Sequence, residues 1–232
     1  MKKLARLNAN HLKLLALLSM TFDHVGLALL DDFLPFRIVG RLAFPIFAFM
    51  IAEGCRYTRN KTRHFLQIFL LGVACQLVMF FATGSLYLGI LIVFSLSVLL
   101  IYCVQWAQSR KTVFAWLLPV FAVVCLFLLY RWLLALLSET DFCLDYGFVG
   151  VLLPVLISLR GDWLGRRVLA AVGMVAVCLV FGGIQWCSLA ALPLLLLYNG
   201  EKGTRNTKYL FYIYYPAHLA VIYALAFLLG RA

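Results

Sequence analysis

Charge is scarce in this chain: only 12% of its 232 residues are charged, and Asp and Glu together number nine. Soluble domains carry about 25% charge and about 45–50% apolar residues, whereas 65% of this chain is apolar. With a mean hydropathy of +1.01, the composition excludes a water-soluble globule. The sequence also lacks a long linker, a low-complexity tract and a repeat of fixed period, so residues 1–232 read as one integral-membrane domain. Its seven cysteines form no CxxC and no Cys/His ligand spacing, so neither a disulfide framework nor a metal site is expected, and the thiols read as small apolar packers. Lys2, Lys3 and Arg6 precede an apolar run as in a signal peptide, yet no small-x-small cleavage site follows and Asp23 and His24 interrupt the run. It reads as a retained first helix.

Apolar runs fall at residues 12–30, 38–55, 64–83, 86–107, 113–137, 146–159, 164–181, 184–198 and 209–229. A crossing needs about 20 apolar residues, so the pattern predicts an all-α, polytopic helix bundle with about nine transmembrane helices. The sixth and eighth runs are short, and are expected to be tilted, broken or re-entrant. Loop charge tests the count. Lys2, Lys3, Arg6 and Lys13, then Arg56, Arg59, Lys61 and Arg63, then Arg110 and Lys111, Arg160, Arg166 and Arg167, and finally Lys202, Arg205 and Lys208 fall on alternate ends. These are sixteen of the twenty Lys and Arg; only Arg37, Arg41, Arg131 and Arg231 are left for the other side, with Asp31, Asp32, Glu139, Asp141 and Asp145. By the positive-inside rule the N-terminus is cytoplasmic and the C-terminus outside. The net charge of +11 therefore speaks of topology and lipid headgroups, not of nucleic acid.

Ionisable groups deep in a bilayer are costly, at least ~2.5–3.5 kcal/mol for Asp on insertion scales, so they mark function by default. Counting at 1.5 Å per residue puts Asp23 and His24 ~17–18 Å into the first helix, and His218 ~14 Å into the last from the same side. Each histidine is either a reactive group or a core imidazole bonded to a carbonyl. Asp23 and His24 point about 100° apart on a helix, so Asp23 needs another partner, and Arg41 is within reach of it. That pair is structural or catalytic. Pro45 leaves the carbonyl of Arg41 without its helical donor and should bend the second helix beside this polar spot.

The loops at residues 56–63 and 199–208 place Gly or Asn beside basic residues, without matching a P-loop. Near them lie Glu53, Tyr198, Asn199, Tyr212, Tyr214 and Tyr215, the tyrosines reading either as an interfacial belt or as ligand contacts. His64 reads as interfacial, and Ser19, Ser95 and Ser97 lack a base that would make a nucleophile. Two function classes fit. A proton-coupled transporter would use Asp23 and His24 as a relay; an enzyme, mildly preferred, would use a histidine as general base on a substrate held between helices.

The stretches LLSMTFDHVG, GRLAFPIFAFMIAEG, YGFVG, YNGEKG and KYLFYIYYPAHLAVIY, in that order, resemble the TraX family of membrane acetyltransferases, whose name-giving member acetylates the N-terminus of F-type pilin. The DH and FPxFxF elements are similar, more distantly, to transmembrane acyltransferases that carry acetyl groups from cytoplasmic coenzyme A across the bilayer. The resemblance implies a multi-pass protein of the bacterial inner membrane, acetyl-CoA as donor and His24 as general base. Beside that base, Asp23 would tune the field, Arg41 hold Asp23, and His218 stabilise the developing oxyanion or orient the acetyl group. The phosphates of coenzyme A would meet Arg56, Arg59, Arg63, Lys202, Arg205 and Lys208, with Tyr198, Asn199, Tyr212 and Tyr215 as further contacts. The acceptor is open between a pilin or other peptide N-terminus, a glycan and a small molecule, and transfer between a direct and an acetyl-histidine route.

Overall fold

The computed structural model of the chain describes residues 7–110, 112–204 and 208–231, with residues 208 and 209 in backbone only. Every apolar run is helical. The first forms α1 (Ala9–Ala28), opened by Asn8, whose side chain accepts from the His11 N–H. The chain turns through Asp31 and Asp32, both at positive φ, into the short α2 (Leu34–Gly40), then breaks and resumes as α3 (Ala43–Tyr57). The break falls where Pro45, in the first turn of α3, deprives the carbonyl of Arg41 of a donor. Ser19 is therefore not idle: its hydroxyl donates to the carbonyls of Val39 and Gly40 at the end of α2.

Next come α4 (Lys61–Thr83), α5 (Ile90–Arg110), a 3-10 turn (Val113–Trp116) leading into α6 (Leu117–Leu136), and α7 (Gly147–Ser158). They are followed by α8 (Trp163–Phe181), a 3-10 segment (Gly183–Ala190) running into α9 (Ala191–Leu196), and α10 (Lys208–Leu228). The eighth run is thus broken, mostly 3-10 with a single short α-helix. The fourth apolar run becomes helical, as α5, at Ile90 rather than at 86, because Leu88 is extended: its N–H donates to the Cys143 carbonyl and its own carbonyl accepts from the Asp145 N–H. Among the described residues six helices are long and apolar enough to cross a membrane, α2 and α3 counting together. Lys13, Asp23 and His24 dilute the apolarity of α1, and the 12 residues of α7 reach only about 18 Å of a ~30 Å core.

The core gathers side chains of α1, α3, α5, α7, α8 and α9, with Phe49, Phe94, Leu12 and Ile101 fully enclosed. A second cluster joins α1 to α4 and α10 through Leu17, Met20, Cys75, Tyr215 and Leu219. On α6 only Pro119 is buried, while Leu117, Phe121, Leu128 and Trp132 point outward. Such a continuous apolar exterior is tolerable only in lipid, which makes this a membrane protein.

Among the described residues, two of the sixteen basic residues assigned to the basic ends are buried inside the bundle. Arg166 and Arg167 lie in the first turns of α8, 6% and 5% exposed. Arg166 is neutralised by an ion pair with Glu53, and Arg167 donates to the carbonyls of Trp163, Leu195 and Tyr198. Buried charge needs such complete pairing, so these arginines serve packing rather than topology. Tyr198 belongs to the same cluster, 3% exposed, with its hydroxyl donating to Glu53 at 3.2 Å.

Candidate functional site

Three cavities abut in series through the bundle. The first, about 540 Å³, opens beside the N-terminal end of α1. Its lining takes Lys13 from α1, Arg59 from the α3–α4 loop, Arg63 and His64 from α4, and Lys202 from the α9–α10 loop. No carboxylate lines it among the described residues. The α9–α10 loop is held over this end by backbone bonds: the Leu7 N–H donates to the Leu197 carbonyl, the Asn199 N–H to that of Leu7, and the Ala9 N–H to that of Glu201. The apolar floor includes Phe47, Leu91 and Tyr215, which also line the second cavity.

That second cavity, about 270 Å³, contains Asp23, His24, Arg37 and Arg41. Asp23 accepts from two guanidinium groups: Arg41 NH2 lies 2.8 Å and Arg37 NH1 3.0 Å from its Oδ1. Arg37 also holds Asp32 at 2.9 Å, and Arg41 donates to the Tyr146 hydroxyl at 3.4 Å. Gly40 makes this convergence possible, since a Cβ there would sit 2.3 Å from Asp23 Oδ1. The Tyr146 ring stacks on Phe44 at 3.8 Å, and Tyr87 donates to Asp145 at 2.8 Å. Burial pushes the Asp145 carboxyl up to about 6, against the opposing pull of the Tyr87 hydroxyl and Arg41.

His24 faces the cavity, and His218 stands behind it, with ring centroids 5.5 Å apart. His218 Nδ1 is 2.9 Å from the Tyr214 carbonyl, which can only accept, so Nδ1 carries the proton and neutral His218 presents a bare Nε2. That Nε2 and His24 Nδ1 are both buried without a hydrogen-bond partner among the described residues. Arg41, Tyr87, Asp145 and Tyr146 form a shared wall with the third cavity, a vestibule of about 340 Å³ edged by Gly182, Gly183 and Gln185.

A family model described as TraX protein matches residues 8–226. The chain belongs to the TraX family. Among its relatives, the probable fimbrial assembly protein FimC, serogroup H1, of Dichelobacter nodosus is 25% identical over 250 residues, which cover 93% of this chain and 94% of that protein. An uncharacterized protein of Rickettsia prowazekii is 41% identical over 66 residues, 28% of this chain and 25% of that one. No solved structure matches.

The TraX motifs thus come together in space although they are spread along the chain. DH on α1, the GRLAFP segment at the helix break, YGFVG at the start of α7 and the HLA segment of α10 all contribute to or back the second cavity. Of the residues expected to meet coenzyme A, Arg59, Arg63, Lys202, Tyr212 and Tyr215 line the basic cavity. Arg56 does not; it lies over the Tyr57 ring at 5.7 Å. Tyr198 is sequestered with Glu53, and Asn199 donates to Glu201 within its own loop. Arg205 lies outside the described residues, as does the Lys208 side chain. Tyr198 and Tyr215, 3% and 8% exposed, are no interfacial belt, and His64 lies in the cavity with Nδ1 2.7 Å from the Tyr102 hydroxyl.

Sequence reasoning missed Arg37, Lys13, Asp145, Tyr146 and Tyr87. Arg37 and Arg41 stand one helical turn apart, a spacing that offered the second guanidinium. Tyr146 opens the YGFVG motif and Asp145 precedes it, whereas nothing local marks Tyr87. Its place depends on the extended pairing of Leu88 with residues 143–145.

Proposed function

We propose that this TraX-family protein is a membrane-embedded acetyltransferase that moves an acetyl group from cytoplasmic acetyl-CoA to an amine or hydroxyl acceptor, with His24 as general base. In this reading the N-terminus lies in the cytoplasm, nine helices cross or enter the bacterial inner membrane, and the C-terminus lies outside. One observation carries the proposal: a cavity lined by Lys13, Arg59, Arg63 and Lys202, with no carboxylate among the described residues, adjoins the His24 cavity through Phe47, Leu91 and Tyr215. Four cations suit the phosphates of coenzyme A, and the apolar contact between the cavities suits a slender acyl-bearing arm.

His24 takes the proton of the acceptor as its nitrogen or oxygen attacks the thioester carbonyl. A new bond forms to the acetyl carbon, the carbon–sulfur bond breaks, and His24 returns the proton to the departing thiolate. Arg37 and Arg41, already shared by Asp23, supply positive potential at the wall where the oxyanion develops. The vestibule beyond Arg41, Asp145 and Tyr146 gives the acceptor a route that the donor does not occupy. The relative described as a fimbrial assembly protein supports a pilin or other peptide N-terminus as acceptor, ahead of a glycan or small molecule.

The test is calorimetric binding of coenzyme A and acetyl-CoA to purified protein, wild type beside His24→Ala. Micromolar binding by both, with acetyl transfer by wild type alone, is the expected result. Absence of binding in folded protein would overturn the proposal and favour a proton-coupled carrier working through Asp23 and His24.

A further inference from the structure

Among the described residues, His24 and His218 each keep one buried ring nitrogen without a hydrogen-bond partner, Nδ1 on the first and Nε2 on the second. An orphaned buried polar atom is costly, so two of them beside each other call for a common explanation. The tautomer of His218 supplies half of it. Because Nδ1–H is committed to the Tyr214 carbonyl at 2.9 Å, Nε2 is a lone-pair acceptor. The ring cannot easily turn to use that lone pair elsewhere. It stacks on Tyr214 at 5.2 Å and meets Tyr215 edge-on at 5.4 Å. Tyr214 is itself latched to α1, its hydroxyl 2.7 Å from Thr21 Oγ1, which donates to the Leu17 carbonyl.

The ring of His24 stands 5.5 Å from that of His218, centroid to centroid, a separation at which nitrogens that face each other come to about 3 Å, the usual N–H···N range. One N–H···N bond between the two orphaned atoms would satisfy both.

We propose that His218 is a positioning residue for His24: its Nε2 accepts a hydrogen bond from His24 Nδ1–H and so leaves the lone pair on His24 Nε2, toward the cavity. This rests on the reading of His24 as the general base. His218 is not among the residues lining the cavity, and it acts through His24 rather than on the substrate. When His24 Nε2 takes the acceptor's proton, His218 holds the Nδ1–H of the resulting imidazolium. The proton on Nε2 then passes to the leaving thiolate, and His24 returns to its starting tautomer.

The experiment is a nitrogen-15 spectrum of histidine-labelled full-length protein in lipid nanodiscs, with the His24 signals assigned by their loss in His24→Ala. Wild type is expected to carry the His24 proton on Nδ1. His218→Phe, which keeps a ring and removes the acceptor, should move that proton to Nε2; His218→Gln, whose Oε1 can accept, should preserve it. In parallel, transfer from acetyl-CoA to glycinamide should fall at least 10-fold in kcat for His218→Phe and recover in part for His218→Gln, with KM for acetyl-CoA unchanged. A wild-type His24 protonated on Nε2, or a tautomer indifferent to His218→Phe, overturns the proposal. The expected tautomers without transfer in any variant would leave the dyad standing and overturn the acetyltransferase reading instead.

Discussion

Arg41 NH2 lies 2.8 Å from Asp23 Oδ1, a contact that fastens the break between α2 and α3 to the middle of α1. Arg37 approaches the same oxygen at 3.0 Å, so one carboxylate bridges two guanidinium groups, Arg37 being paired with Asp32 as well. The consequences of losing either side are unequal. Asp23→Asn leaves Arg41 without its carboxylate and Arg37 with Asp32 alone, and should cost about 3–5 kcal/mol, the range for breaking a buried pair. Arg41→Gln should cost less, because Arg37 still holds Asp23. Chemical unfolding of the two variants in detergent checks the order; equal losses would mean that Arg37 does not share the load.

Gly40 is fixed by the same contact. Gly40→Ala would drive its methyl into the Asp23 carboxylate, with no flexible chain end to yield, whereas Gly161→Ala meets nothing within 4 Å. The first substitution should lower the melting temperature and abolish transfer, and the second should do neither. Thermal denaturation and an acetylation assay on both proteins decide it.

On the proposed acetyltransferase reading, the basic cavity predicts which cations matter to coenzyme A. Arg59→Ala, Arg63→Ala and Lys202→Ala should each weaken binding about 5- to 10-fold and reduce its sensitivity to salt. Arg56→Ala, whose guanidinium lies over Tyr57 away from the cavity, should bind as wild type. Titration calorimetry at two ionic strengths measures both effects.

Asp145 gives a pH signature. Its folded-state value of about 6 lies above that of an unfolded Asp, so the stability it contributes is complete below about pH 4 and is lost as the pH rises through about 6. Asp145→Asn, which mimics the protonated acid, should therefore melt higher than wild type at pH 8. The difference should close as the pH is lowered toward 4. A gap that is constant with pH would show that Asp145 does not titrate in this range.

What the sequence determined by itself is whatever depends on local composition. Apolar runs dictate helices because a backbone in lipid must satisfy its own hydrogen bonds, so the position of most helices was legible, though not the separate α2 or the 3-10 course of the eighth run. Asp23, His24, Arg41 and His218 stood out because charge inside such runs is costly, and the ion pair of Asp23 with Arg41 followed from their depths. Pro45 announced the break in the second helix for want of an N–H. Tertiary structure alone decided which neighbours these groups would meet. Arg166 and Arg167 looked like loop charges until Glu53, the carbonyls of Leu195 and Tyr198 from a distant turn, and that of Trp163 in their own helix enclosed them. Arg37 and Asp145 joined the site only because α2 folds back on α1 and residues 143–145 pair with Leu88. The withdrawal of His218 behind His24 likewise depends on how α10 lies against α1, through Tyr214 and Thr21. Periodicity and hydropathy carry depth along a helix axis, but the facing partner is set by packing between helices far apart in the chain, and no local signal encodes it.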